Sequence, residues 1–361
     1  MGSEAAVSGV ELAVLDVIRE TEDAVSVVFD SRLDFKPGQF LTLAIPSDRT
    51  GLVARCYSLC SVPGEPLTVT VKRTPDGYAS GWINDHLATG DTVRVLEPSG
   101  IFTPASFDAD LLLFAGGSGV TPIMSIARTA LERGSGRITV FYANRDERSV
   151  IFAERWAELA VAHPDRLEVI HWLQSVQGLP TQEQLRTFAA RFTTYDAFVC
   201  GPAPFMKLVT AALKELDFPR ERRHQEKFVS LGGNPFGDLD QAEEAAEEIA
   251  AAESDDAGRA VDEGGVSRPA PVRLTAELDG QTYEFDDWSP TTTVLEHLES
   301  KGIKAPYSCR EGECSACAFR LLDGEVKMLK NDVLESEDLD DGIRLGCQSV
   351  PVTDNVSITY H

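Results

Sequence analysis

The stretch "LLLFAGGSGVTPIMS", residues 111–125, passes from an apolar run through a glycine turn into a helical pattern. It predicts a strand, a tight turn and a helix, with Thr121 at the helix cap and Pro122 at its first position, where a missing N–H costs nothing. Three later segments repeat the alternation: "RITVFYAN" (137–144), "LEVIHWL" (167–173) and "DAFVCG" (196–201) are each followed by a helical pattern. Strands alternating with helices imply a doubly wound α/β parallel sheet, assigned here to residues 106–231.

On the N-terminal side the pattern differs. Between Val10 and Glu97, short segments rich in Val, Leu, Thr and Phe alternate with turn signals, and only "YASGWINDHLA" (78–88) reads as a helix. This spacing predicts an antiparallel β-barrel over residues 1–105. On the C-terminal side, residues 232–271 are dominated by Gly, Pro and acids and read as a flexible acidic linker that cannot order itself alone. A tether of that length reaches tens of ångströms and would let the last domain swing between two docking places. Residues 272–361 predict a hairpin across Asp279 and Gly280, a helix capped by Thr292 or Thr293 and stopped by Gly302, and further short strands, a small α+β domain.

The 361 residues carry a net charge of -25, which excludes nucleic acid and anionic lipid surfaces as partners for most of the surface. Eleven acids against one base fall in residues 238–263, and eighteen against eight in residues 272–361. No apolar run approaches the roughly 20 residues that span a bilayer, and the N-terminus lacks the pattern of a secretion signal, so a cytoplasmic protein without a membrane partner is expected. The seven cysteines, an odd number, argue for reduced thiols or metal ligands.

Four of those cysteines form a pattern. Cys309, Cys314, Cys317 and Cys347 are spaced C-x4-C-x2-C-x29-C, whose first intervals are the plant-type [2Fe-2S] spacing. Structural zinc also takes four cysteines, but usually as two close pairs, and here the fourth stands alone after a strand-rich insert. With "CREGECSAC" and "LGCQ", residues 272–361 resemble a plant-type ferredoxin, which implies the β-grasp fold.

"RCYSLCS" (55–61) on a barrel strand, "GYAS" (77–80), "GGSGVTP" (116–122) and "VCGP" (199–202) occur in the order found in the ferredoxin reductase superfamily, which the chain resembles. The resemblance implies that Arg55 pairs with flavin phosphate, Tyr57 lies against the isoalloxazine ring and Ser58 hydrogen-bonds near its N5. It gives Gly77 and Ser80 to the flavin phosphate, and Gly117, Gly119 and Thr121 to the nicotinamide pyrophosphate. Cys200, Gly201 and Pro202 would adjoin the nicotinamide, with Cys200 a positioning group rather than a nucleophile. Glu226 and Phe228 would cover the flavin, although a core role also suits Phe228. At the end of the second parallel strand, Arg145 suits a 2'-phosphate and Asp146 a ribose hydroxyl, so NADH is expected and NADPH stays possible.

FAD, a [2Fe-2S] cluster and NADH together imply an NADH-dependent reductase that feeds a Rieske-type oxygenase offering a basic docking patch. "YANRDERSVIF", "HWLQSVQGLP" and "FVSLGGNPF" resemble most the reductase components of 3-ketosteroid 9α-hydroxylases. The reductases of phenylacetyl-CoA epoxidases and of hybrid-cluster proteins share the domain order, and a redox-sensing iron-sulfur module is the alternative from another class.

Overall fold

The computed structural model describes residues 9–47, 51–75, 77–226, 236, 271–278, 280–303, 305–307, 310–312, 315–334 and 336–360. Most of the expected linker lies outside the described residues, as do Phe228, Cys309 and Cys314. The chain divides into two compact units, Glu11–Ser230 and Leu231–His361 with Met1–Val10.

The first unit opens with β1 (Val10–Thr21), β2 (Ala24–Phe29), β3 (Phe40–Ser47), β4 (Gly51–Ser58), β5 (Thr68–Lys72) and β6 (Thr92–Val95), ordered β4-β3-β6-β1-β2-β5. The pairs β1–β2, β2–β5, β3–β4 and β3–β6 are antiparallel. Just past β4, Leu59 bridges to Val69 of β5, so the two edges of the sheet meet. Because strand side chains alternate between faces, every second residue points to one core: Val25, Val27 and Phe29, then Leu41, Leu43 and Ile45, then Val69 and Val71. Helix α1 (Tyr78–His86) covers that core with Ala79 and Ile83.

The same unit continues with β7 (Leu111–Gly116), β8 (Ile138–Asn144), β9 (Leu167–Leu173), β10 (Asp196–Cys200) and β11 (Arg223–Glu226). They form one sheet, β11-β10-β7-β8-β9, parallel throughout. Between the strands run α2 (Val120–Arg133), α3 (Ala153–Ala162), α4 (Gln174–Gln177), α5 (Gln182–Ala189) and α6 (Ala203–Glu215). Leu111 and Leu113 of β7 face α2, whereas Leu112 and Phe114 face α5 and α6, so both faces of the sheet are covered. The chain winds outward through β8 and β9, then returns to the far side of β7. Strand order therefore reverses between β7 and β10, the place where open α/β sheets bind ligands outside their carboxyl ends.

The start of α2 departs from the expectation. A 3-10 turn, Gly117–Gly119, runs straight into the helix at Val120, so Thr121 and Pro122 sit inside the first turn rather than at its cap. Thr121 donates to the Ser118 carbonyl at 3.1 Å, and Pro122 is tolerated because first-turn N–H groups have no helical acceptor. Further along, α2 ties the parallel sheet to the first one. Ser125 donates to the Ser61 carbonyl at 2.7 Å, and Arg128 grips Glu65 with two bonds of 2.9 and 2.6 Å.

The second unit contains β12 (Val272–Leu278), β13 (Gln281–Trp288), β14 (Ala318–Asp323), β15 (Val326–Met328), β16 (Ile343–Leu345), β17 (Ser349–Pro351) and β18 (Asn355–Thr359). Five of them form the mixed sheet β13-β12-β18-β14-β16, in which β12 and β18 are parallel; β15 and β17 pair separately. Helix α7 (Val294–Ser300) starts at Thr293 in a reciprocal cap: the Glu296 N–H donates to Thr293 Oγ1 at 3.3 Å, and the Thr293 N–H to Glu296 Oε2 at 2.8 Å. Val294, Leu295 and Leu298 pack on Leu274, Trp288 and Ile358 of this unit's core. A second short helix, α8 (Ser336–Asp340), was not foreseen by the turn signals.

Candidate functional site

Strand β4 presents Arg55 and Tyr57, both half-buried, on one side and Ser58 on the other. Burial pushes the Tyr57 phenol up, partly opposed by the Arg55 charge. Ser58 is 2% exposed and its hydroxyl has no hydrogen-bond partner among the described residues. An orphaned buried hydroxyl costs about 1–3 kcal/mol, so a ligand atom is a natural partner for it. At the start of α1 the first helical bond runs from the Gly81 N–H to the Gly77 carbonyl, 3.0 Å. The Ser80 hydroxyl spans the turn, accepting from the Thr74 N–H at 3.0 Å and donating to the Gly77 carbonyl at 3.2 Å. The Gly77 N–H donates to the Thr74 carbonyl at 3.0 Å, so the groups that suit an anion at this turn are the N–H groups from Tyr78 to Ser80.

At the reversal point, the loops after β7 and β10 touch backbone to backbone. A Cβ on Gly119 would lie 2.3 Å from the Cys200 carbonyl oxygen, whereas one on Gly117, at φ +53°, would meet nothing within 4 Å. One glycine therefore permits the contact, and the other leaves room above the loop for a bound molecule. Gly201 and Pro202 lie on the opposite side of that contact, with Pro202 at the N-cap of α6. We expect Gly119→Ala to force the loops apart, lowering stability by about 3 kcal/mol as overpacking does. Thermal unfolding of the variant checks this, and nicotinamide affinity should fall at least tenfold in the same protein.

Cys200 and Glu226 are register partners at the ends of β10 and β11. Cys200 is fully buried, and burial followed by the charge of Glu226 pushes its thiol well above the usual range. Glu226 is 6% exposed, and burial pushes its carboxyl up to about 8, so it carries a proton at neutral pH. Cys60, two residues past Ser58, and Cys200 belong to one buried cluster, which brings the end of β4 and the end of β10 against a common core.

Beyond β8, Arg145 donates to Asp23 in the β1–β2 turn at 3.0 Å, and Lys72 approaches the same carboxylate at 3.7 Å. Asp146 accepts from the Ser149 N–H at 3.0 Å, capping a 3-10 turn. Both residues on which nucleotide choice was expected to turn are thus engaged within the protein. Asp23 had no signal in the sequence, because its partner lies 122 positions away.

In the second unit, Cys317 and Cys347 are buried neighbours. The pairing of Ala318 with Leu345 sets them side by side, and the Cys347 N–H points at Cys317 Sγ, 3.5 Å away. Arg310, at φ +58°, is fixed by Glu299 at 3.0 Å and by the Tyr307 ring, 4.1 Å from its guanidinium carbon. An N–H directed at a thiolate and a pinned cationic residue suit an anionic iron-sulfur group. The residues present therefore fit all three groups expected: an orphaned hydroxyl by the flavin strand, an open glycine loop for a nucleotide, and paired thiols for a cluster.

Comparison with known proteins agrees. The oxidoreductase NAD-binding domain family matches residues 113–211, and the 2Fe-2S iron-sulfur cluster binding domain family matches residues 276–352. Together these define an electron-transfer oxidoreductase. The chain is 48% identical to the ferredoxin reductase component of 3-ketosteroid-9-alpha-monooxygenase from Rhodococcus rhodochrous, across 97% of this chain and 96% of that one. It is 31% identical to one of the subunits of 1,2-phenylacetyl-CoA epoxidase from Escherichia coli, over 97% of each. In fold it resembles phthalate dioxygenase reductase, with a TM-score of 0.55 at 22% identity, covering 97% of this chain and 98% of that one. The chain belongs to the family of monooxygenase ferredoxin reductase components. Among the described residues, no helix is long and apolar enough to cross a membrane.

Proposed function

We propose that the chain draws electrons from NADH and delivers them one at a time to the Rieske-type oxygenase of a 3-ketosteroid 9α-hydroxylase. The observation that carries this reading is the 48% identity sustained over 97% of the chain, nicotinamide and cluster domains included. In this reading residues 1–105 are a flavin-binding barrel, 106–231 the nicotinamide domain, 232–271 a linker and 272–361 a β-grasp ferredoxin domain. FAD, when bound, accepts an electron pair from NADH and releases the electrons singly, which a [2Fe-2S] centre requires.

The protein's part is to position, to exclude water and to hold protons. Arg55 and the first-turn N–H groups of α1 from Tyr78 to Ser80 bind flavin phosphate, with Gly77 at the N-cap, while Tyr57 supplies a flat face and Ser58 offers its unpaired hydroxyl. The loop of Gly117, Gly119 and Thr121 holds pyrophosphate, and Gly201 and Pro202 shape the nicotinamide floor. Cys200, kept as a neutral thiol, packs there without acting as a nucleophile. Cys309, Cys314, Cys317 and Cys347 ligate the cluster, and Phe228 screens the flavin.

Anaerobic addition of NADH should bleach the cluster absorbance of the purified protein, and adding the partner oxygenase should give 9α-hydroxylation of a 3-ketosteroid. Turnover of phenylacetyl-CoA with its own epoxidase instead would move the assignment to that system. The eighteen acids of residues 272–361 call for a basic patch on the partner, so the coupled rate should drop severalfold between low and high salt. Nucleotide choice has its own check. Asp23 withholds Arg145 from a 2'-phosphate, and Asp23→Asn should therefore lower KM for NADPH severalfold while leaving KM for NADH within twofold.

A further inference from the structure

Tyr360 follows β18, and its hydroxyl is buried without a hydrogen-bond partner among the described residues. Its backbone N–H donates to the Glu277 carbonyl at 3.0 Å, and its ring lies 5.9 Å from that of Phe319, so the side chain is anchored at both ends. The hydroxyl sits against the segment that carries the cluster thiols. A Cβ on Gly346 would lie 2.8 Å from Tyr360 Oη and 3.1 Å from the Cys317 carbonyl. Gly346 in turn donates to that carbonyl at 2.9 Å and precedes Cys347.

A phenol is a good donor, and an orphaned buried donor is rare in a folded protein. Sulfurs of a cluster held by these thiols would set acceptors beside the segment that the hydroxyl lies against. We propose that the Tyr360 hydroxyl donates a hydrogen bond into the sulfur shell of the [2Fe-2S] cluster and makes the cluster easier to reduce. The inference rests on the proposed ligation by Cys309, Cys314, Cys317 and Cys347. A donor aimed at sulfur stabilises the reduced state more, because reduction adds negative charge there. It also gives Gly346 a reason, since any side chain at that position would push the hydroxyl aside.

The test is the midpoint potential of full-length Tyr360→Phe, read by spectroelectrochemical titration of the cluster absorbance. With the solution poised at the wild-type midpoint, the reduced-to-oxidised ratio in the variant should fall at least threefold. Gly346→Ala, which displaces the hydroxyl without removing it, should shift the ratio the same way. The reduced wild type should also show an exchangeable proton coupling in electron-nuclear double resonance that D2O removes within minutes and Tyr360→Phe lacks. An unchanged midpoint in an iron-replete variant overturns the proposal. Should neither variant load iron, the wild-type spectra decide, and no fast-exchanging coupling overturns it. A wild type without any cluster absorbance would strike at the ligation itself.

Discussion

Cys347→Ala is expected to cut electron delivery to the oxygenase at least about a hundredfold while changing NADH-driven reduction of a small dye less than about twofold. Cys317 and Cys347 stand side by side only because β14 and β16 pair in one register, and both thiols belong to the core of the second unit. On the proposed ligation by four cysteines, removing one would leave the iron pair without a full ligand set, and ligation that is lost is also folding free energy lost. The second unit should therefore unfold at a lower temperature in the variant. The first unit has its own three buried clusters and its own helices, so its chemistry should persist. Iron content, absorbance and the two rates measured on one preparation check every part. A fall in dye reduction parallel to the fall in delivery would refute the separation of roles.

The second large effect concerns Glu226. Its carboxyl is pushed from the ordinary 4.5 up to about 8 by burial alone. Below pH 4.5 the group is neutral in both the folded and the unfolded chain. As pH rises from there through about 8, the unfolded chain releases the proton while the folded one retains it, so folding stability falls across that window. The full shift corresponds to an upper bound of about 5 kcal/mol, and water penetration brings the expected loss nearer to about 2–3. Gln is shaped like the protonated acid and cannot ionise. Glu226→Gln should thus match the wild type in thermal stability near pH 5 and exceed it progressively towards pH 9. If the held proton also serves the nicotinamide site, wild-type NADH oxidation should decline through pH 8, and the variant should show no such inflection. Parallel melting curves for the two proteins from pH 5 to pH 9 would show that Glu226 is not buried as described.

Much of this architecture was legible because it is written in local periodicity. Val25, Val27 and Phe29 mark a strand with that face on a core, and Thr292 or Thr293 before a pattern stopped by Gly302 marks a helix. Glycines and cysteines at fixed spacing mark the loops, since few other residues tolerate those approaches. What escaped was long-range. Nothing near Asp23 foretells Arg145, and nothing near Tyr360 foretells a place beside Cys317 and Gly346, because sheet register creates those meetings. Thr121 misled for the opposite reason: a residue typical of caps was displaced inward when a preceding 3-10 turn began the helix early.

The grip of α2 on the first sheet constrains how genes of this kind can be rearranged. Ser125 and Arg128 are bonded to Ser61 and Glu65, and Ala24, Cys60 and Phe102 share a core with β7 and α2. A recombination joint placed between residues 98 and 110 would separate halves of a single interior, leaving polar partners and apolar surface mismatched in both progeny. The division between the two compact units falls instead at Ser230 and Leu231. Shuffling of these reductases should therefore trade the first two sheets as one inherited piece, with the iron-sulfur domain as the exchangeable part.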